Sequence, residues 1–417
     1  MTTKFLPSSV TWPSHWQNLP LWALFDRIKD VGHPDEEMLS VYRSHGVVKK
    51  DGRDDNNNQT AENRNIYQLV EPGWFIVNRM KAWQGSTGIS PFRGIASGHY
   101  ICFRPKHRED PRYLNWLLRS NVYTTEYARM SRGVRPGQIE IDNDELHGLR
   151  IAIPPLDEQR RIADFLDAET RRIDALTAAR RRMRELLSVK KQRAIEGALG
   201  IDSRPRMLPL KFMVQAIGVG IVIRPSDWYV EEGGVTALRG LNVHPGRIDT
   251  SEVVRISIEG HLENRKSRLS AGDVVVVRTG QAGAAAVVPE ELDGSNCIDL
   301  LIIQPGHVTN SHFLAHYLNS PYTQRKIIEH SVGSIQAHFN VGSMKQLDFP
   351  ALDLVEQERR ATVVDEVVGY FDLLESRIGM QLSVLGERRQ ALITAAVTGQ
   401  IDVATARGLG PSGGVAA

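Results

Sequence analysis

The stretch Glu158-Gln159-Arg160-Arg161 decides the fold, because it returns 198 residues later as Glu356-Gln357-Glu358-Arg359. A two-fold repeat of this length predicts that one chain builds a pseudo-symmetric object. The period is too long for a solenoid, whose units have about 20–50 residues, so it indicates a domain duplication. Further pairs match at the same offset without a gap, namely Asp174 with Asp372, Leu176 with Leu374, Lys191 with Arg389, Gln192 with Gln390, Ile195 with Ile393 and Ala198 with Ala396.

Each copy of this stretch is predicted to begin a long helix. Prolines lie just upstream of both copies, and Gly200 and Gly399 lie where the helices should end. Apolar residues recur about every 3.5 residues, a spacing typical of a coiled coil. The predicted seam consists of Ile162, Leu166, Ile173, Leu176, Met183 and Leu187 in the first helix and Val364, Val367, Phe371, Leu374, Ile378 and Leu385 in the second.

We expect the two helices to pair with each other in antiparallel fashion. A helix of about 40 residues is about 60 Å long. A compact domain usually has its ends close together, so the region between the helices can join them only if the end of the first lies near the start of the second. The expected architecture is a pseudo-two-fold dumbbell, with two globular domains joined by an antiparallel two-helix coiled coil. The alternative is that each helix merely packs on its own globular region.

The globular regions combine short strands and short helices. Apolar runs such as Trp74–Val77 and Val274–Val277 alternate irregularly with helical stretches such as Tyr113–Arg119 and Phe313–Leu318. This order predicts a mixed α/β (α+β) fold and not a doubly wound sheet. The predicted organisation is a first domain at 1–155, a first helix at 156–200, a second domain at 201–352, a second helix at 353–402 and a flexible tail at 403–417.

Composition sets few limits on function. The net charge of +2 neither requires nor excludes a nucleic-acid partner, because a basic face can hide in a balanced total. The two cysteines, Cys102 and Cys297, are predicted to be buried strand residues in a reducing cytoplasm. No apolar run approaches the roughly 20 residues that span a bilayer, so we expect a cytoplasmic protein.

Side chains able to contact DNA are frequent at predicted strand ends and loops of both regions. Arg, Asn and Gln can read purine edges, and Lys and Arg can hold phosphates. A solvated surface is the alternative for any single residue, so the hypothesis depends on clustering in both copies. The candidates are Arg79, Lys81, Gln84, Arg93, Arg132, Arg135 and Gln138 in the first region and Arg278, Gln281, Gln336, His338 and Asn340 in the second.

Catalytic signatures are missing from the sequence. It contains no phosphate-binding Gly-x-x-x-x-Gly-Lys-Ser/Thr loop, no His-Glu-x-x-His helix and no cysteine pairs with zinc spacing. Gly218-Val219-Gly220 begins like a dinucleotide loop, but Ile223 stands where the third glycine belongs. The sequence therefore predicts no catalytic residue and no metal site, and it favours a binding or scaffolding protein.

The run from Ile153 to Ile162, which contains Pro154-Pro155-Leu156 and Glu158-Gln159, resembles the DNA specificity subunits of type I restriction-modification systems. The run Pro72–Arg79 resembles their target-recognition domains, and the resemblance covers the chain from about Leu19 to Asp402. The second copy departs from the pattern. It has one proline and extra residues before Glu356, and Arg360 stands where Ile162 stands.

The resemblance implies two target-recognition domains that each read one half of a bipartite, asymmetric DNA site. The helix pair would set the unread spacer between the halves. Two methyltransferase (modification) subunits would dock on this chain, together with restriction subunits that translocate and cut DNA. S-adenosylmethionine, ATP and Mg²⁺ would be bound by those partners, and this chain would carry no cofactor. Two alternatives remain, a stand-alone DNA-modifying enzyme and a coiled-coil adaptor that does not bind DNA.

Overall fold

The computed structural model describes residues 6–43, 45–50, 64–133, 139–280, 282–331 and 339–403. Contacts divide the chain into two units. Unit 1 comprises Met1–Arg180 and Met380–Ala417, and unit 2 comprises Arg181–Gly379. Each unit therefore contains one globular region and one part of each long helix. The predicted tail, apart from its first residue, lies outside the described residues.

Ten helices occur among the described residues, and two of them are far longer than the others. The first region contains α1 (Leu21–Leu24), α2 (Pro111–Leu118), α3 (Asn121–Arg129) and α4 (Asn143–His147), followed by the long helix α5 (Leu156–Ala198). The second contains α6 (Ile258–Glu263), α7 (Ser311–Asn319), α8 (Pro321–Ser331) and α9 (Val341–Gln346), followed by the long helix α10 (Leu354–Val397).

The sheet at the centre of unit 1 has four antiparallel strands in the order β2-β9-β6-β7, and β1 pairs with β12 next to α5. The strands of this unit are β1 (Gln17–Pro20), β2 (Phe25–Ile28), β3 (Leu39–Tyr42), β4 (Gly46–Lys49), β5 (Gln68–Val70), β6 (Phe75–Asn78), β7 (Thr87–Ile89), β8 (Gly94–Ala96), β9 (Tyr100–Pro105), β10 (Ser131–Arg132), β11 (Glu140–Ile141) and β12 (Arg150–Ile153).

Unit 2 repeats this sheet with strands in the order β14-β23-β20-β21 and repeats the flanking pair as β13 with β24. It also has a four-stranded sheet, β15-β19-β16-β22, that includes one parallel pair. Its strands are β13 (Met207–Pro209), β14 (Ala216–Val219), β15 (Tyr229–Val230), β16 (Val235–Leu238), β17 (Val243–His244), β18 (Arg247–Ile248), β19 (Val254–Ile256), β20 (Val274–Val277), β21 (Ala285–Val287), β22 (Asn296–Cys297), β23 (Leu300–Gln304) and β24 (Asp348–Pro350). The predicted mixed fold and its duplication are confirmed.

Both faces of each central sheet are buried, which explains the uninterrupted apolar runs in the sequence. In β6, Phe75 and Val77 pack in the core under α2 and α3, while Ile76 packs in a second core on the opposite face. The valines of β20 alternate in the same way between two cores. Cys102 and Cys297 are buried as predicted, and burial raises the pKa of the Cys102 thiol to about 12.

The long helices pair in antiparallel fashion within each unit. In unit 1, Ile162 and Leu166 of α5 share a core with Ile393 and Val397 of α10. Further along α5, Asp174 accepts a hydrogen bond of 2.9 Å from Arg389 Nε, so the α10 residue number falls as the α5 number rises.

In unit 2, Lys191 of α5 pairs with Asp372 of α10, and the Leu199 carbonyl accepts from Arg360 Nη1 at 2.6 Å. Here too the α10 number falls as the α5 number rises. The pair Lys191–Asp372 is the repeat-equivalent of Arg389–Asp174 in unit 1, because Lys191 matches Arg389 and Asp174 matches Asp372. The same contact is therefore formed once in each unit, as a pseudo-symmetric pairing requires.

The predicted seam is wrong at Leu176 and Met183, which are each 47% exposed. The less exposed residues of α5 between 166 and 187 include Leu166, Thr170, Ile173, Thr177 and Leu187, which keep the heptad spacing. The second seam position therefore follows Leu166 and Ile173 by four residues and not by three, and it is occupied by threonines that the apolar pattern passes over. Of the other predicted seam residues, Ile162, Leu166, Ile173, Leu187, Val364 and Ile378 are buried, and Val367, Phe371, Leu374 and Leu385 are half-buried.

Candidate nucleic-acid interface and its attachment to the long helices

The fold brings together most of the described DNA-binding candidates of the first region. Arg79, Lys81 and Gln84 lie in the connection from β6 to β7, and Arg132 lies in β10. The Ile141 amide donates to the Arg79 carbonyl at 3.0 Å, and the Arg79 side chain pairs with Glu140 at 2.6 Å. We call residues 79–84, 131–133 and 139–141 surface 1. Two other candidates, Arg135 and Gln138, lie outside the described residues.

The second region has an equivalent surface. Arg278 follows β20 as Arg79 follows β6, and its carbonyl accepts from the Phe339 amide at 3.3 Å. We call residues 278–280, 282–284 and 339–340 surface 2. Asn340 belongs to it, but its side chain caps α9 by accepting from the Ser343 amide at 2.9 Å. Three candidates, Gln281, Gln336 and His338, lie outside the described residues.

Arg93 is not part of surface 1. Its guanidinium pairs with Glu36 at 2.8 Å and with Glu71, and these carboxylates raise its pKa. The arginines of the two surfaces also have carboxylate partners, namely Glu140 for Arg79, Glu145 for Arg132 and Asp299 for Arg278. A carboxylate that fixes an arginine reduces the rotamer freedom that the side chain loses when it binds a ligand.

A buried glutamine attaches the first region to α5. Gln159 is fully buried, and its Oε1 accepts from the amide of Asp110, the N-cap residue of α2, at 2.9 Å. Its Nε2 donates to the Pro154 carbonyl at 2.8 Å and to Glu109. One amide side chain thus ties the start of α5 to the start of α2 and to the loop that precedes each helix.

Gln357 makes the equivalent attachment in unit 2. It is also fully buried and accepts from the amide of Asn310, the N-cap residue of α7, at 2.9 Å. Its Nε2 donates to the Val308 carbonyl at 2.9 Å and to the Leu352 carbonyl at 2.8 Å. The structure therefore explains why this glutamine recurs in both copies, since it satisfies backbone N–H and C=O groups at a buried place.

A ring N–H makes a second attachment in each unit. Trp116 Nε1 of α2 donates to Asp167 of α5 at 2.9 Å, and His316 Nε2 of α7 lies 2.8 Å from Asp365 of α10. Burial lowers the pKa of His316, although Asp365 opposes part of that shift. A neutral imidazole with its proton on Nε2 offers the same single donor as the indole of Trp116.

Arg360, which stands where the first copy has Ile162, has a structural role. Its guanidinium donates to the Leu199 carbonyl and to Glu356 Oε1, each at 2.6 Å, so it caps the last turn of α5. Gly200 adopts a φ of +70°, and a Cβ there would overlap the Arg360 guanidinium. A glycine at this helix end is therefore required both by the backbone conformation and by the close approach of Arg360.

Replacing Gln159 with leucine is expected to destabilise the protein by about 1–3 kcal/mol, because the Asp110 amide and the Pro154 carbonyl lose their partner in a buried place. Thermal unfolding of the full chain measures this loss. The matched control is Gln192→Leu, which changes an exposed glutamine of the same helix and should stay within about 0.5 kcal/mol. Equal shifts for the two variants would show that the Gln159 attachment contributes nothing.

Residues 41–182 match the family model of the type I restriction modification DNA specificity domain. The chain is similar to the specificity subunit of the type I restriction enzyme EcoBI from Escherichia coli, with 21% identity over 60% of this chain and 58% of that protein. It is also similar to the StySPI specificity subunit from Salmonella potsdam, with 24% identity over 42% of this chain and 38% of that protein. The alignments thus span less than two thirds of these relatives.

Two solved structures share the fold. One belongs to a study of complex assembly and conformational transition in a type I R-M system. It superposes with a TM-score of 0.70 at 15% identity and covers 94% of this chain and 100% of that one. The other is the HsdS subunit from Thermoanaerobacter tengcongensis, with a TM-score of 0.54 at 16% identity, covering 94% and 99% of the two chains. The predicted arrangement of two mixed α/β regions and two long helices is therefore a known fold.

Other kinds of site are not evident in the part of the chain that the structure describes. Within those residues, His, Cys, Asp and Glu side chains form no group of three or more that could hold a metal ion. The described helices also include none with the length and apolar character needed to cross a membrane.

Proposed function

We propose that this chain is the DNA-specificity subunit of a type I restriction-modification complex, in which each globular region reads one half of a bipartite site. The observation that carries the proposal is the DNA specificity domain match at residues 41–182, combined with the second copy of the same central sheet in unit 2. Surfaces 1 and 2, which hold predicted DNA-binding residues at equivalent places in the two copies, support it. The chain itself performs no bond chemistry in this proposal.

The two half-sites should differ, because the two regions differ in structure. Among the described residues, unit 2 forms the four-stranded sheet β15-β19-β16-β22, whereas unit 1 forms the two-stranded sheets β3-β4 and β5-β8. The carboxylate partner of Arg278 is Asp299, and that of Arg79 is Glu140 of β11. Different side chains at equivalent places present different donors and acceptors to the base edges. The site is therefore proposed to be asymmetric as well as bipartite.

The long helices are proposed to set the spacer between the half-sites and to dock two methyltransferase subunits. Leu186 of α5 and Val384 of α10 occupy repeat-equivalent positions, and they are 56% and 59% exposed. Each lies one helical turn from a further exposed apolar residue, Val189 of α5 and Met380 of α10. Contiguous exposed apolar patches mark protein interaction sites, and the duplication suits two copies of one partner. Restriction subunits would join the complex in the cytoplasm, and S-adenosylmethionine, ATP and Mg²⁺ would bind to the partner subunits.

Methylation sequencing tests the proposal. The chain would be co-expressed with its methyltransferase partner in a host without other methylation, and the methylated sites would be read from the genome. We expect one motif with two unlike half-sites and an unread spacer of fixed length. A single continuous palindrome would contradict the split-site reading.

Two controls separate the proposal from the alternatives. Methylation by this chain without its partner would indicate a stand-alone modifying enzyme. DNA binding that depends neither on sequence nor on salt concentration would indicate an adaptor. Specific and non-specific protein–DNA complexes both weaken steeply as the salt concentration increases.

A further inference from the structure

We infer that Arg278 reads a guanine in the half-site of the second region and that Asp299 is the residue that positions it. This inference rests on the proposed function and deepens it. Arg278 lies at one end of the central sheet of unit 2, in the connection that follows β20 and next to the connection that precedes β23. The Val277–Leu300 pair ends the ladder between β20 and β23, and Arg278 and Asp299 are the next residue of each connection.

The Arg278 guanidinium is held in place. Its Nη1 donates to Asp299 Oδ1 at 2.6 Å, and the Thr279 hydroxyl donates to Asp299 Oδ2 at 3.4 Å. The Arg278 side chain is only 18% exposed. An arginine fixed in this way is preorganised for a ligand, because its long side chain has little rotamer freedom left to lose.

Asp299 adopts an unusual backbone conformation. Its φ is +50°, in the left-handed region, and only two other non-glycine residues of the described chain, Arg204 and Arg224, share that property. Its amide donates to the Ile221 carbonyl at 3.0 Å, which fixes the turn. Residues held in sparsely populated backbone conformations cluster at functional sites, and here the conformation accompanies the placement of the carboxylate against Arg278.

The remaining donors of Arg278 favour a base over a phosphate. A guanidinium has five N–H groups. Nε of Arg278 is buried and Asp299 accepts one N–H of Nη1, which leaves the other N–H groups of Nη1 and Nη2 for a ligand. Guanine offers two acceptors, O6 and N7, that match the two-pronged guanidinium. A phosphate carries a full negative charge and would be repelled by Asp299, whereas the neutral edge of guanine would be repelled far less.

The first region holds its equivalent arginine differently. Asn78 pairs with Tyr100 at the end of the β6–β9 ladder, so His99 stands opposite Arg79 as Asp299 stands opposite Arg278. Arg79 pairs instead with Glu140 of β11, and its side chain is 46% exposed whereas that of Arg278 is 18% exposed. The inference therefore concerns the second region, where the arginine of the described surface is the more buried one.

Competition binding with base-substituted duplexes tests the inference. The full chain, assembled with its methyltransferase partner, would be offered its methylation motif with each base pair of both half-sites replaced in turn. We expect the replacement of one G·C pair in the second half-site to lower the affinity of the unaltered protein by about 5- to 150-fold. Arg278→Gln and Asp299→Asn should bind the original and the replaced duplex alike, while all positions of the first half-site remain discriminated.

Arg278→Lys keeps the charge but loses the two-pronged geometry, so it should lose the same discrimination and retain most of the general affinity for DNA. Arg325→Gln, which removes an exposed arginine paired with Glu196 in the same unit, is the matched control and should leave every position discriminated. Thermal unfolding of each variant verifies that it is folded.

Full discrimination by Arg278→Gln at every position of the second half-site would overturn the inference and leave the proposed function intact. A uniform loss of affinity for all duplexes would also overturn it, because that result indicates a phosphate contact. A complete absence of sequence preference in the unaltered protein would overturn the proposed function as well.

Discussion

Lengthening both long helices by one heptad is expected to lengthen the DNA spacer by about three base pairs without altering either half-site. The change duplicates residues 174–180 of α5 and the repeat-equivalent residues 372–378 of α10, all of which lie inside continuous helix. Seven residues add about 10.5 Å of helix, and one turn of about 10 base pairs occupies about 34–36 Å. This expectation follows from the proposed role of the helices.

Three extra base pairs also rotate one half-site by about 100° about the DNA axis, so the affinity for the new site should be lower than for the original. Binding to duplexes with spacers lengthened by zero to four base pairs would locate the new optimum, and methylation sequencing would check the half-sites. The matched control is a duplication in α5 alone, which should impair the helix pairing because α10 has no compensating residues. An unchanged spacer in the double variant would refute the proposal that the long helices set the spacer length.

Replacing Leu166 with alanine is expected to cost about 2–5 kcal/mol of stability. Leu166 is fully buried and shares a core with Ile393 and Val397 of α10 and with residues of the first region. The lost methyl groups leave a cavity where a long helix, its partner helix and the globular region meet. In a unit of roughly 200 residues, this loss corresponds to a decrease in Tm of about 5–15 °C, which calorimetry would resolve.

Leu176→Ala is the control for that prediction, because it makes the same chemical change ten residues later on the same helix. Leu176 is about half exposed, so its replacement should cost less than about 1 kcal/mol. Both residues belong to the seam that the sequence predicts, and only the structure distinguishes them. A similar cost at the two positions would contradict the exposed position of Leu176 on α5.

Much of the fold could be predicted from the sequence because the repeat supplies a second, independent copy of each signal. The two long helices, their antiparallel pairing within each unit and the mixed α/β regions were all predicted. The repeat matches Asp174 with Asp372 and Lys191 with Arg389. The same residues form the ion pairs Asp174–Arg389 in unit 1 and Asp372–Lys191 in unit 2. The details of the helix surface were less accessible, since the second seam position of α5 is occupied by Thr170 and Thr177, which the apolar pattern passes over in favour of Leu176.

The candidate interface could be predicted only in part. Arg79, Lys81, Gln84 and Arg132 were chosen for their chemistry, and the fold places them on one surface, whereas Arg93 has the same chemistry and lies elsewhere. Whether these residues contact DNA stays a prediction. The buried roles of Gln159 and Gln357 were missed, although the recurrence of Glu-Gln in both copies was the signal that could have found them. Asp299 gave no signal, because its left-handed backbone has no mark in the sequence.

The sequence by itself determined the duplication, the length of the two helices and the kind of fold, since periodicity and repetition are properties of neighbouring residues along one chain. Only the tertiary structure decided which polar side chains are buried and with what they pair. Gln159 and Asp110 lie on different elements, as do Arg278 and Asp299, and their hydrogen bonds depend on strand register and helix packing that no local pattern encodes. The attachment of each region to its long helix and the placement of its arginines are therefore tertiary properties.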